Sequence, residues 1–201
     1  MCPGGYVVNA SSEAGGTVVN GMSYADRGSA NANAAIIVSV GPEDFQRYGE
    51  GVLAGLSYQE VLERRAYQAG QGHIPVQLFG DFLKQRESRA FGGIEPCFAG
   101  QYRFAALNGI LEAPLEEAFL EGMASFGRQI KDFDAPDVIL AGVESRTSSP
   151  IRILRDNELQ ANIQGFYPCG EGAGYAGGIT SAAMDGIRVA EAVIACYTPK
   201  Y

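Results

Sequence analysis

The residues whose types and spacing could carry chemistry cluster near the C-terminus. Five glycines, Gly170, Gly172, Gly174, Gly177 and Gly178, surround a single acid, Glu171, directly before a run with helical periodicity. A glycine-rich loop lets backbone N–H groups approach a ligand closely, and a following helix adds a partial positive charge at its start. Such a loop would suit a phosphate or the polar edge of a heterocycle, and Glu171 reads either as a ligand-facing carboxylate or as a solvated loop acid. Read literally, Gly172-Ala173-Gly174-Tyr175-Ala176-Gly177 is a G-x-G-x-x-G string. A full dinucleotide fingerprint needs a second strand ending in an acid about 20 residues on, and the sequence stops at Tyr201, so the first-βαβ reading fails.

A second candidate is Arg146 with Thr147, Ser148 and Ser149. Guanidinium and hydroxyl groups suit an anionic substrate or a cofactor phosphate. The same residues also read as a polar turn before Pro150, with Arg146 paired to Glu144. Both readings stay open. Cys2, Cys97, Cys169 and Cys196 form no C-x-x-C pair, and His73 is the single histidine. No zinc constellation and no Ser-His-Asp triad follow, so no metal site is expected and no catalytic residue can be named. Cys2 and Cys169 are read as ordinary thiols rather than as redox partners of a cofactor, and His73 as a loop residue.

The elements that would position these groups come next. Residues 165–168 read as a strand, and Ile179, Ala183, Gly186, Ile187, Ala190 and Ile194 mark a helix, giving a strand–loop–helix unit. Residues 6–9 and 17–20 are β-rich runs joined by a polar loop, a predicted hairpin, and residues 35–40 a third strand. The long polar loop between, 21–33, reads either as functional or as a solvated connection. Ser57-Tyr58-Gln59-Glu60 is a capping box for a helix to Ala69 that ends at Gly70. Pro75 predicts a short helix through Lys84, and residues 92–109 read as irregular. Pro114 opens a helix whose stripe Leu115, Ala118, Phe119, Gly122, Met123 and Phe126 reads as core. Residues 138–140 and 151–154 read as strands. The fold class is α+β, with a mostly antiparallel sheet and helices, and the C-terminal unit added to it.

Apolar residues make up 46% of the 201 residues and charged ones 19%, a globular composition. The net charge of −8 disfavours nucleic acid as a partner, because phosphate contacts need clustered Lys and Arg. No apolar run approaches about 18 residues, which argues against a membrane span, and the N-terminus has no signal-peptide pattern. A cytoplasmic protein is expected.

Phe166-Tyr167-Pro168-Cys169-Gly170-Glu171-Gly172, with Gly177-Gly178-Ile179, Ala182, Ala183 and Asp185-Gly186, resembles the C-terminal flavin-contacting segment of two-dinucleotide-fold flavoproteins. The bacterial FAD-dependent, "NAD-utilising" dehydrogenases are the most similar family. Cys2-Pro3-Gly4-Gly5, Val19-Asn20-Gly21-Met22-Ser23-Tyr24 and Glu144-Ser145-Arg146-Thr147-Ser148-Ser149-Pro150 match as well. In that family the nucleotide-binding G-x-G-x-x-G lies in an N-terminal half that has no counterpart here. The resemblance therefore implies the C-terminal portion of an oxidoreductase: residues 1–156 as a middle, substrate-side domain, and 157–201 as a piece of a Rossmann-like FAD domain. It implies FAD in the parent enzyme, contacted by Gly170, Glu171, Gly172, Gly177, Gly178 and Ile179, with weak or absent binding in this chain alone. A small-molecule substrate near Arg146, Thr147 and Ser148, and NAD(P)H, are the implied partners. Either a homodimer through the C-terminal unit or collapse of that unit onto the middle domain is also expected. A free-standing, non-enzymatic binding module is the alternative. An ATP-binding transferase fits poorly, since the glycine loop holds no lysine and no P-loop pattern.

Overall fold

A computed structural model describes residues 2–197, with Cys2 described for its backbone alone. The described residues fall into two compact units. The first holds residues up to Asp44 together with Tyr58–Ser145, and the second holds Phe45–Ser57 and the residues from Arg146 on.

In the first unit, β1 (Cys2–Pro3) pairs antiparallel with β4 (Ala32–Asn33). β2 (Gly5–Asn9) lies between β3 (Val19–Ser23), antiparallel with Val7 opposite Gly21, and β6 (Phe98–Ala99), parallel with Val7 opposite Phe98. A third sheet centres on β5 (Ile74–Leu78), which pairs parallel with β7 (Tyr102–Phe104) and antiparallel with β8 (Ile139–Ala141). α1 (Pro42–Phe45) is a single turn, α2 (Ala54–Gly70) and α4 (Ala113–Gln129) are long, and α3 (Phe79–Phe82) is one turn directly after β5. The class is α+β as expected. The sheets are small, and although three of the five described strand pairings are antiparallel, both three-stranded sheets are mixed.

Two apolar clusters hold the first unit together. Ala66 of α2, Phe82 of α3, Leu107 and Ile110 are buried, with Phe119 and Leu120 of α4 packed on them. Phe82 and Phe119 meet edge to face at 5.5 Å. Val19, Ile74 and Val76 form the second cluster with Val7, Phe98, Phe104 and Ile139 around them. Each such side chain contributes about 1.5–3 kcal/mol when fully buried. The stripe of α4 is core at Phe119 and at Met123, which is 1% exposed, while Phe126 sits at the surface against Phe133.

Several expected elements differ. The helix predicted from Pro75 is the buried strand β5. Pro75 is tolerated there because its carbonyl accepts the Gly142 N–H at 3.2 Å, so its missing donor faces the β8 side, just past the last paired residue, Val76. Within the predicted irregular region 92–109 lie β6 and β7, strands so short that periodicity cannot reveal them. The hairpin forms, but its second strand starts at Val19, because Thr17 and Val18 spend their amides on the Glu63 carbonyl and the Ser11 hydroxyl. Residues 35–40 are not a strand among the described residues, and Ile37 and Val40 are exposed. A β-rich run becomes a strand only where another edge accepts its ladder. Residues 151–154 and 165–168 are not strands either. Gly165 has φ +77° and Phe166 donates back to the Ile163 carbonyl, a turn rather than an extended run.

Candidate functional site at the glycine loop

The second unit ends in α5 (Ile179–Tyr197), which carries the glycine loop at its start. Its buried residues are Asp185 and Val189, on the side opposite the periodic apolar face. That face points outward: Ile179 is 93% exposed, Ile187 60% and Ile194 64%.

Asp185 shapes the loop. Its Oδ1 accepts from Arg155 Nη2 at 2.7 Å and its Oδ2 from Arg155 Nη1 at 3.0 Å, a two-pronged pair with both side chains nearly buried. The same Oδ2 accepts the Gly170 N–H at 2.9 Å, and Arg155 Nη1 also donates to the Pro168 carbonyl at 2.9 Å. The Arg155 guanidinium sits 3.6 Å from the centre of the Tyr175 ring, a stacking that suits a planar cation on an aromatic face. The hydrogen bond from Arg155, and after it that from Gly170, pulls the Asp185 carboxyl down to about 2. Asp185 pushes the Arg155 guanidinium up in turn.

Residues 149–155 brace the other side of the loop. Ile153 N–H donates to the Ala173 carbonyl at 3.1 Å, Arg152 Nε to the Gly174 carbonyl at 2.9 Å, and the Tyr175 hydroxyl to the Ile153 carbonyl at 3.0 Å. Gly174 has φ +81°, and a Cβ there would lie 2.3 Å from the Ile151 carbonyl oxygen. Only glycine fits so close an approach in that backbone conformation.

Gly172 and Gly177 are different. Neither has a positive φ, and a Cβ at either would meet open space. Their amides, and that of Ile179, find no acceptor among the described residues, whereas Gly178 N–H is taken by Ser181 Oγ at 3.2 Å, Gly174 N–H by Glu171 and Tyr175 N–H by Gly170. Glu171 is exposed beside them. The predicted cofactor residues Gly170, Glu171, Gly172, Gly177, Gly178 and Ile179 thus share one loop, with Gly170 and Gly178 already committed to internal hydrogen bonds. Arg146, Thr147 and Ser148 are exposed at the start of the same unit. Ser149 Oγ, next in sequence, lies 3.3 Å from the Gly172 carbonyl.

Arg155 and Asp185 as partners escaped sequence reading. Thirty residues separate them, and no local pattern joins them; the only signal was an acid at a position where α5 otherwise turns inward. In the first unit, Glu63 is 3% exposed and accepts the Ser145 hydroxyl at 2.7 Å. Burial alone raises the Glu144 carboxyl. Cys169 is exposed, and the Cys2 thiol lies outside the described residues. Among the described residues no group of three His, Cys, Asp or Glu could hold a metal ion, and no helix is long and apolar enough to cross a membrane.

Residues 1–147 match the family model "FAD-dependent protein, C-terminal domain-like", and the chain belongs to that family. It is also 48% identical over 197 residues to a protein of Clostridium beijerinckii described only as an uncharacterized protein, covering 96% of this chain. The chain spans 37% of that relative's length.

Proposed function

We propose that this chain is the C-terminal portion of an FAD-dependent dehydrogenase, in which residues 170–179 meet the flavin side of the cofactor. The observation that carries the reading is the pair Gly172 and Gly177: neither backbone conformation nor internal packing calls for glycine there, and neither amide has an acceptor among the described residues. A ligand that must approach the backbone closely accounts for both. The residues fit FAD: amides of Gly172, Gly177 and Ile179 would donate to phosphate or ring-edge acceptors, and Glu171 would accept from the ribityl hydroxyls. FAD when bound would supply the redox chemistry, while this chain orients it. Arg146, Thr147 and Ser148 are assigned to an anionic small-molecule substrate, and NAD(P)H to the exchange of electrons. The Rossmann-like part that would hold the adenosine end lies outside this sequence, which is consistent with the greater length of the relative.

The test places this chain, in full, in the position of the matching segment of the Clostridium beijerinckii protein. The purified protein should carry flavin after gel filtration. Glu171→Ala should weaken flavin retention by about 5–150-fold, the equivalent of ~1–3 kcal/mol for hydroxyls left unpaired, while Arg146→Ala should leave flavin in place and raise the KM for substrate. Equal flavin loss in both variants would overturn the role assignments, and a flavin-free parent would overturn the class.

A further inference from the structure

We propose that Arg155 and Asp185 are positioning residues: a buried two-pronged ion pair that latches the glycine loop into its binding shape without touching the ligand. The inference rests on the flavin reading for what the loop binds, but not for the latch itself. Asp185 projects from the second turn of α5 and takes the Gly170 N–H, fixing the first glycine to the helix. Arg155 holds the residue before that stretch through the Pro168 carbonyl, and its far end through the Tyr175 ring. One guanidinium and one carboxylate thereby bind the loop at residues 168, 170 and 175, and the amides of Gly172, between those anchors, and Gly177, just past them, have no acceptor among the described residues. A buried pair is a poor source of net stability, because desolvation offsets most of the Coulomb attraction, but removing one partner leaves an uncompensated charge. What such a pair provides is a defined geometry. A loop that must present bare amides to a ligand cannot be held by those amides, so side chains hold it from behind.

The charged and titratable groups around the pair are Arg188 on α5, Tyr175 on the loop and Cys169 before it.

The experiment uses the 201-residue chain without cofactor. In Arg155→Lys and Asp185→Asn, the hydrogen-bonded loop amides of Gly170, Gly174 and Tyr175 should exchange with solvent at least about tenfold faster than in the parent, the scale of one lost charged hydrogen bond. Amides of α4 around Met123, in the first unit, should be unchanged. The Gly170 amide shift should follow the Asp185 carboxyl, with a midpoint near pH 2 in the parent and a higher one in Arg155→Lys. Should Asp185→Asn fail to fold, Arg155→Lys carries the test, since it keeps the charge and loses only the fork. Unchanged loop exchange, or a Gly170 titration that Arg155→Lys does not move, would overturn the latch. In the chimera with the Clostridium beijerinckii protein, a loosened loop with reduced flavin retention supports the whole proposal. A loosened loop with full flavin retention sinks the flavin reading of the loop while leaving the latch standing.

Discussion

The backbone of Gly174 lies so close to that of Ile151 that a Cβ would sit 2.3 Å from the Ile151 carbonyl oxygen and 3.0 Å from the Arg152 Cα. Both neighbours are backbone, so neither can swing aside. Gly174→Ala adds this clash to a left-handed conformation that alone costs a non-glycine residue about 1–2 kcal/mol. The expected outcome is a second unit destabilised by more than that. Gly172→Ala, where a Cβ meets open space, should cost a few tenths of a kcal/mol or nothing. Urea denaturation of the two variants checks the contrast, and comparable losses would contradict it.

Gln77 is fully buried in β5, and every polar atom of its side chain is spoken for. Its Oε1 accepts the Leu107 N–H at 2.7 Å, and its Nε2 donates to the Arg86 carbonyl at 2.8 Å and to Asn108 Oδ1 at 3.2 Å. Gln77→Leu keeps the volume and orphans those groups, at about 1–3 kcal/mol for each one left buried without a partner. Urea unfolding should show a loss above 2 kcal/mol on that scale, and a loss below half a kilocalorie would mean that water replaces the amide.

That residue also shows what a sequence can and cannot disclose. The helix α4 was legible because Pro114 sets its start and six apolar or small positions recur at its period, a signal that needs no knowledge of neighbours. Helix α5 was legible for the same reason, although its periodic face turned out to be the exposed one. β5 was not legible: Ile74-Pro75-Val76-Gln77-Leu78 has a proline and a glutamine in a run buried on both faces, and only the loop residues that satisfy Gln77 make that burial possible. Glycines could be located but not sorted. Gly174 answers to an internal clash, while Gly172 answers to nothing inside the described residues, and the difference lies in contacts from residues 151–152. The Arg155–Asp185 pair was hidden for the same reason, since an ion pair across thirty residues leaves no local trace.

Acid should loosen the second unit only at extreme pH. The Asp185 carboxyl is pulled down to about 2 in the folded protein, against about 3.9 when unfolded. A lowered folded value contributes stability that is fully present above about pH 4 and is lost as pH falls through about 2. The contribution is on the order of 2–3 kcal/mol. Circular dichroism between pH 5 and pH 1.5 should show the Asp185→Asn variant losing less stability over pH 4 to 2 than the parent. Parallel losses across that window would assign the acid sensitivity to other carboxylates, with Asp81, lowered by Ser88 and Arg86, as the next candidate.

The 201-residue chain on its own should purify colourless and bind FAD weakly. Its loop offers a few amides and a helix start worth about 0.3–1 kcal/mol toward a charge, against several kcal/mol that association costs. Helix α5 argues for a second consequence. It packs through Asp185 and Val189 and leaves Met184, Ile187 and Ile194, each more than half exposed, along one outward stripe. Adjacent apolar side chains in water associate when a complementary surface is available, and a second copy offers the same stripe. We therefore propose that the isolated chain dimerises through α5, and that Ile187→Glu or Met184→Glu restores the monomer without lowering helix content. Light scattering over a hundredfold range of concentration reads the outcome. A parent chain that stays monomeric throughout, with amides along α5 as protected as those of α4, would show that the stripe is stable in water and needs no partner.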